Sequence, residues 1–223
     1  MHKQLTAQAQ YWQYDYVANN PHPVGEKANL HSSTEDNLYN VAHEKYHGFL
    51  FEFAQRFDFY DIFIVDNQSS EVVYSVYKEV GVATSLTTGP FASSNLALAY
   101  EQAKNIGEKD VVFVDYQQYL PSYDAPASFI ATPLYEQGVH TSTLVFQISI
   151  DALNIIMTER AGLGESGETY LVGPDFLMRS DSYLDPKNHS VVNSFRYPKT
   201  GAVKTTAAMQ ALQGETGQQV ITD

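Results

Sequence analysis

The stretch Phe59-Tyr-Asp-Ile-Phe-Ile-Val-Asp66, followed by Asn67-Gln-Ser-Ser70 and Glu71-Val-Val-Tyr-Ser-Val-Tyr77, decides the fold class. Up to Phe57 the apolar residues recur at helical spacing. From Tyr60 the spacing changes. Asp61–Val65 is a short apolar run bounded by polar residues, which predicts a buried strand, and Asp66–Ser70 is rich in turn formers. Glu71–Tyr77 is β-branched and aromatic, so the pair predicts a hairpin.

Outward from the hairpin, the N-terminal side is helical. Leu5, Ala9, Trp12 and Tyr16 share one helical face, and Asn19, Asn20, Pro21 and Pro23 end that helix. Thr34 or Asp36 is placed to cap a second helix running to about Phe57. Its apolar stripe is Leu38, Ala42, Tyr46, Phe49, Phe53 and Phe57. On the C-terminal side, residues 83–95 read as a loop around Gly89-Pro90, and Asn95–Asn105 as a helix. Strands are predicted at Val111–Tyr116, Ala127–Leu134 and Thr141–Ile150. Asp151 caps a helix to about Arg160, and a second hairpin, Thr169–Val172 and Leu177–Ser180, turns at Gly173-Pro174. Residues 184–213 read as a polar loop with a short helix at Thr206–Leu212, and Gln218–Thr222 begins a strand.

The fold class is therefore α+β. Long N-terminal helices precede a five-stranded antiparallel module of PAS-like order, and a second PAS-like module follows without its last strands. Such a half sheet leaves an unpaired edge, so the rest of that module is expected in sequence beyond this chain. The boundaries expected are 1–57 for the helical region, 58–150 for the first module and 151–223 for the linker helix and second module.

Composition excludes several functions. The chain has 223 residues, 13 basic against 26 acidic, and a net charge of -13. Nucleic acid is not a partner on this reading, because phosphate binding needs a basic face. Without cysteine there are no disulfides, thiolate metal sites or cysteine nucleophiles. No apolar run approaches the roughly 20 residues of a membrane span, and no signal peptide is visible, so the start reads as internal to a longer protein.

The chain is similar to the double Cache (tandem PAS-like) extracytoplasmic sensor domains of bacterial chemoreceptors, sensor kinases and nucleotide cyclases. The likeness rests on Phe59–Asp66, Val73-Tyr-Ser-Val-Tyr-Lys-Glu79, Gly89-Pro-Phe-Ala-Ser-Ser-Asn-Leu96 and Ala127-Ser-Phe-Ile-Ala-Thr-Pro133. Gly162-Leu-Gly-Glu-Ser-Gly-Glu-Thr-Tyr-Leu-Val-Gly-Pro-Asp175 and Met178-Arg-Ser-Asp-Ser182 complete it. The resemblance implies a periplasmic domain of an inner-membrane protein, a ligand in the membrane-distal module, a cytoplasmic output module and no catalysis in this part. An amino-acid-binding subgroup carries an Arg-x-Trp-Tyr cluster after the second strand and an acid on the last strand. Here the loop reads Thr87-Thr-Gly-Pro-Phe-Ala-Ser-Ser-Asn95 and the last-strand position is Gln147. Both charge partners of a zwitterion are missing, which argues against free α-amino acids bound in that mode.

The pocket expected behind that loop combines aromatic walls with a few polar groups. Its candidates are Tyr74, Lys78, Thr88, Phe91, Asn95, Asp115, Tyr116, Tyr119, Tyr123, Phe129 and Gln147. Aromatic faces and Asp115 suit an amine or quaternary ammonium, whereas Lys78 suits a carboxylate. The balance favours a cation, because acids and tyrosines outnumber bases there. Each of these residues also has an ordinary structural role open to it: strand packing for the tyrosines, a turn cap for Asp115, a solvated strand end for Lys78.

Two motifs compete with this reading. His43-Glu-Lys-Tyr-His47 is formally H-E-x-x-H, so His43 and His47 are the alternative metal ligands of a zinc hydrolase. The third ligand of the extended motif is absent, with Leu50 and Phe53 in its place. Gly162-x-Gly164-x-x-Gly167 matches a dinucleotide fingerprint, but a helix precedes it and a strand follows, the inverse of what phosphate binding needs. No cofactor is expected, and these glycines read as a helix stop and turn. A third class, a module that binds a periplasmic partner protein, would be favoured by a large exposed apolar patch. A homodimer through the stripe Leu5, Ala9, Trp12 and Tyr16 is the subunit pairing expected.

Overall fold

The computed structural model describes residues 5–34 and 37–218. Contacts divide the chain into two compact units, residues 1–149 and 150–223.

The first unit is built on one antiparallel sheet. Its strands are β1 (Phe59–Asp66), β2 (Val72–Ser75), β3 (Val112–Tyr119), β4 (Ala125–Glu136) and β5 (Val139–Ile148), in the spatial order β2-β1-β5-β4-β3. This is the α+β, PAS-like architecture expected. The register puts Asp61 opposite Gln147, and Gln147 opposite Phe129. Directly paired residues share a face, so these three side chains form one row across the sheet. Phe63 and Val145 form the next row.

On that face the core is aliphatic and aromatic. Phe63, Val65, Phe129, Ala131 and Val145 pack under helix α3 (Asn95–Ala103), which contributes Leu96, Ala99, Tyr100 and Ala103. Ser94 caps α3 by accepting a bond from the Ala97 amide. The long segment between β2 and α3 folds back along β2: the Val72 amide donates to the Thr84 carbonyl, the Ala83 amide to the Val72 carbonyl and the Leu86 amide to the Ser70 carbonyl, at 2.8–3.0 Å. Gly89 turns it sharply. A Cβ there would lie 2.3 Å from the Ser85 carbonyl oxygen, so only glycine fits.

The other face carries helix α2 (Leu38–Arg56) and the N-terminal segment. The sequence reading of α2 needs two corrections. Its cap is Asn37, whose side chain accepts from the Asn40 amide; Thr34 does not cap it, and Asp36 lies outside the described residues. The stripe of Leu38, Ala42, Tyr46, Phe49 and Phe57 faces outward, with Leu38 89% exposed. The face turned inward is Asn40, His43, His47 and Ala54. Apolar periodicity misplaces this helix because its inward face is polar, with Asn40, His43 and His47 bonded to groups inside. Helix α1 (Ala7–Trp12) continues as a wider π-type turn over Gln13–Ala18. Its stripe, Ala9, Trp12 and Tyr16, is buried within the first unit, where Trp12 stacks on Tyr39 at 4.5 Å. That stripe is thus already covered by its own chain and is no free face for a second subunit.

In the second unit, helix α4 (Ile150–Met157) holds Asp151 in its first turn, inside the helix instead of at its cap. The Arg160 guanidinium donates to the carbonyls of Gly164, Glu165 and Gly167, closing the glycine turn. The second hairpin survives as a single bridge, Val172 with Met178. Residues 184–213 hold more helix than the sequence suggests: α5 (Val191–Arg196), α6 (Pro198–Gly201) and α7 (Thr206–Leu212). Apart from Gln218, the strand expected over 218–222 lies outside the described residues.

Replacing Leu96 by Ala should lower stability by about 2–5 kcal/mol, because its side chain is wholly buried under the sheet. The same change at the half-exposed neighbour Leu98 should cost far less, and denaturant melts of the two variants compare them directly.

Candidate functional site

Two polar clusters are built on opposite faces of the β1–β2 hairpin. On the α3 face the centre is Asp61, fully buried. Its Oδ1 accepts from the amides of Ile62, Val76 and Tyr77 at 2.7–3.2 Å, and its Oδ2 from the Ser75 hydroxyl at 2.7 Å. Ser75 Oγ in turn accepts from the Lys78 amide. A carboxylate thus holds the chain just past β2 in a tight turn, with Lys78 in the left-handed region at φ 55°. Burial, and then the charge of Glu79, push Asp61 up to about 7.

Glu79 is the second acid on this side. Its Oε1 accepts from the Tyr60 hydroxyl and its Oε2 from Ser122, both at 2.8 Å. Ser122 accepts in turn from the Gln147 amide at 3.2 Å. Burial raises the Glu79 carboxyl above its ordinary value, against the opposing pull of those bonds. Tyr119 stands edge-on to Phe129 at 5.3 Å. It is 1% exposed, and its hydroxyl has no hydrogen-bond partner. Gly81 passes directly over that hydroxyl: a Cβ there would sit 3.3 Å from it. Asn95, also 1% exposed, donates to the carbonyls of Asp115 and Ala127, while its Oδ1 is unpartnered.

On the α2 face, Lys78 Nζ donates to the Val76 carbonyl at 3.1 Å and lies 3.1 Å from His47 Nε2. His47 Nε2 is 2.6 Å from the Ala28 carbonyl, so it carries the proton, and Nδ1 accepts from the Tyr74 hydroxyl at 2.7 Å. His43 stacks on His47 at 4.5 Å, and its Nδ1 donates to the His31 carbonyl. Burial, reinforced by the nearby Lys78 charge, lowers His43 to about 3 and His47 to about 4. Burial likewise lowers Lys78 to about 7, opposed by Asp61. The two histidines of the H-E-x-x-H stretch are therefore neutral, and both ring nitrogens of His47 are engaged. Among the described residues, no three His, Asp or Glu groups converge as metal ligands.

The candidate pocket residues are thus divided. Tyr119, Phe129, Gln147 and Asn95 converge on the α3 face with the acids Asp61 and Glu79. Tyr74 and Lys78 belong to the α2 face. Phe91 and Tyr116 are buried, Thr88 is exposed, and Tyr123 is 59% exposed. Asp115 is half-buried, and its Oδ1 accepts from the Tyr116 amide. Sequence reasoning missed Asp61, Glu79 and Ser122. Asp61 was visible as an acid inside an apolar strand run, a placement that demands partners, whereas Ser122 is brought in only by the turn after β3. Clefts lie elsewhere: one of about 330 Å³ in the second unit, lined by residues including Glu168, Asp185, His189 and Lys204, one of about 340 Å³ along α2 at Phe49, Phe53 and Phe57, and one of about 570 Å³ between Ala207 and Gln218.

No protein-family model matches the chain, and no curated protein is similar enough to match. Solved structures do match. The extracellular domain of vpHK1S-Z8, assigned as a histidine kinase, aligns over 96% of this chain and 80% of its own, with TM-score 0.50 and 11% identity. The sensor domain of the Vibrio cholerae histidine kinase DctB aligns over 93% and 68%, with TM-score 0.45 and 9% identity. The ligand-binding domain of the Pseudomonas fluorescens chemoreceptor CtaA, solved with L-leucine, aligns over 86% and 67%, with TM-score 0.42 and 14% identity. The chain shares its fold with the extracellular domain of vpHK1S-Z8. No described helix is long and apolar enough to cross a membrane.

The histidine pair predicts an acid response. Because the folded chain holds both rings below their ordinary 6.5, the unfolded chain takes up protons first. The stability present above about pH 6.5 is then lost as the pH falls toward about 4. Asp61 acts in the opposite sense, since its raised value costs stability as the pH rises from 3.8 to about 7. The melting midpoint of His47→Gln should therefore fall less between pH 6.5 and 4.5 than that of the unaltered protein; equal slopes would show that the ring takes its proton in the folded state.

Proposed function

We propose that this chain is the ligand-sensing part of a membrane-anchored bacterial signal receptor, exposed in the periplasm, and that it binds a small molecule in its first unit. The observation that carries this reading is the α3 face at Asp61, Gln147, Phe129 and Tyr119. It is a row of polar and aromatic groups, sealed by the segment after β2, with the Tyr119 hydroxyl and Asn95 Oδ1 left without partners. Buried polar atoms without partners are uncommon in a finished core. They are what a site looks like when its polar groups await a ligand.

The covering segment is also tied to the N-terminal helix. Gln13 Nε2 donates to the carbonyls of Val80 and Val82 at 2.8 and 2.6 Å, on either side of Gly81. A ligand that displaces Gly81 pulls on the N-terminal helical segment through these two bonds. Signalling then requires only that the ligand prefer one arrangement of the segment over the other. The fold shared with the extracellular domain of vpHK1S-Z8 is consistent with that role.

A thermal-shift screen of small amines, organic acids, sugars and amides tests the reading. At about 100 times its dissociation constant a ligand adds about 2.7 kcal/mol, which for a chain of this size moves the midpoint by roughly 5–10 °C. The shift should shrink in Gln147→Ala. A screen in which nothing moves the midpoint, or in which every hit is indifferent to Gln147, would sink the proposal.

A further inference from the structure

We propose that Asp61, Glu79 and the hydroxyl of Tyr119 form a receptor for a protonated primary amine, the head group of the ligand this domain senses. The inference rests on the reading above that the first unit binds a small molecule, and it names that ligand's chemistry.

Charge is the first observation. Two buried carboxylates are joined through Gln147, which stands opposite Asp61 in the register and donates to the Ser122 hydroxyl that holds Glu79; the charge of Glu79 helps to raise the Asp61 carboxyl. Among the described residues no lysine or arginine forms an ion pair with either. Lys78, next in the chain to Glu79, turns its Nζ to the opposite face, onto Val76 and His47. Lys27 is felt by Glu79, but its own Nζ donates to the Val17 carbonyl. A buried anionic pair with no contacting cation is costly, and a cationic ligand relieves it.

The second observation is independent of the acids. Tyr119 is 99% buried by its 1% exposure, and its hydroxyl has no partner. Gly81, two residues on from Glu79, lies against that hydroxyl, and burial together with the charges of Glu79 and Asp61 holds the phenol well above its ordinary value. A phenol oxygen accepts as well as donates, and an ammonium group has three donors to place. Two carboxylates and one phenol oxygen supply three acceptors. Tyr119 and Phe129, edge-on to each other at 5.3 Å, supply aromatic surface of the kind an ammonium prefers.

An organic ammonium fits better than a bare metal ion. The carboxylate oxygens already accept directional bonds from Tyr60, Ser75 and Ser122, and no third acid or histidine joins them among the described residues. A hard cation asks for six or more oxygen ligands. An ammonium asks for about three acceptors.

The amine reading carries a pH signature. The titratable groups around Asp61 are Glu79, Tyr60 and Tyr119, with Lys78, Tyr74 and Tyr77 toward the α2 face. Of these, Asp61 and Lys78 change charge near neutrality. As the pH rises from 6 to 8, Asp61 ionises and Lys78 loses its competing charge, while an alkyl amine stays protonated. Affinity for the amine therefore rises with pH.

The test uses the full chain with ethanolamine, putrescine and tyramine hydrochlorides, their neutral hydroxyl analogues, and sodium, potassium and calcium chloride alone. Melting midpoints and calorimetric titrations are read at pH 6 and pH 8. At least one amine should stabilise the protein, more tightly at pH 8, with its neutral analogue inert. Glu79→Gln should weaken binding about tenfold or more, the scale of one charge-assisted bond. Tyr119→Phe should fold like the unaltered protein, since the lost hydroxyl had no partner, and should still bind the amine more weakly. Amine binding unchanged in both variants, equal binding of the neutral analogue, or stabilisation by a metal chloride in place of the amines would each overturn the inference. A hit from the acids or sugars that is lost in Gln147→Ala would overturn the amine and leave the sensor reading standing. No response to any compound would remove both.

Discussion

The first unit depends on one buried carboxylate. Asp61 sits inside an apolar strand, where an unsatisfied charge would be prohibitive. It is satisfied by folding the chain around it: three amides and the Ser75 hydroxyl converge on its two oxygens. Those bonds stop β2 at Ser75 and force the turn that follows. They also hold Lys78 in a left-handed conformation that costs a side chain roughly 1–2 kcal/mol. The turn sends consecutive residues to opposite faces of the sheet. Lys78 goes to the histidines of α2, and Glu79 to Tyr60 and Ser122.

The sheet consequently separates two different environments. Under α3 lies a packed aliphatic core that gives way, at the Asp61 end, to acids and tyrosines. Under α2 lies a hydrogen-bonded polar layer in which His43, His47, Tyr74 and Lys78 are held close to neutrality by burial. The same turn borders both. Its continuation, Glu79–Val82, is clasped by Gln13 from the N-terminal segment. A change of charge or of filling at Asp61 is therefore adjacent to the main-chain bonds that tie the covering segment to the N-terminal helix. The coupling is short and covalently continuous, and no long relay is needed to connect the site to the element that reports on it.

The legibility of the sequence varied with the type of interaction. The five strands and their order were readable, because Phe59–Asp66 and its partners carry β-branched and aromatic runs bounded by turn residues. Helix α7 was readable to the residue, since Thr205 caps it by an ordinary side-chain bond. Helix α2 was found but turned the wrong way: Phe49 and Phe57 look outward while His43 and His47 are buried. Apolar periodicity locates a buried face only when burial is driven by apolar area, and here it is driven by matched polar partners from Ala28, His31 and Tyr74. Helices α5 and α6 were lost in a polar stretch, where short helices are stabilised by caps such as Ser190 more than by any apolar stripe.

The sequence by itself determined the α+β class, the strand order, the anionic character and the absence of thiol chemistry. These follow from composition and from the two-residue alternation of strands, which are local properties. Its pocket candidates included Tyr119, Asn95, Phe129 and Gln147, each legible as a polar or aromatic residue on a strand or helix start. Only the tertiary structure decided that Asp61 and Glu79 share a face with them, that Lys78 turns its back, and that Gly81 closes over Tyr119. The reason is that a side chain's direction at a bulge or a left-handed turn is set by which distant groups satisfy it, and no local pattern records those partners.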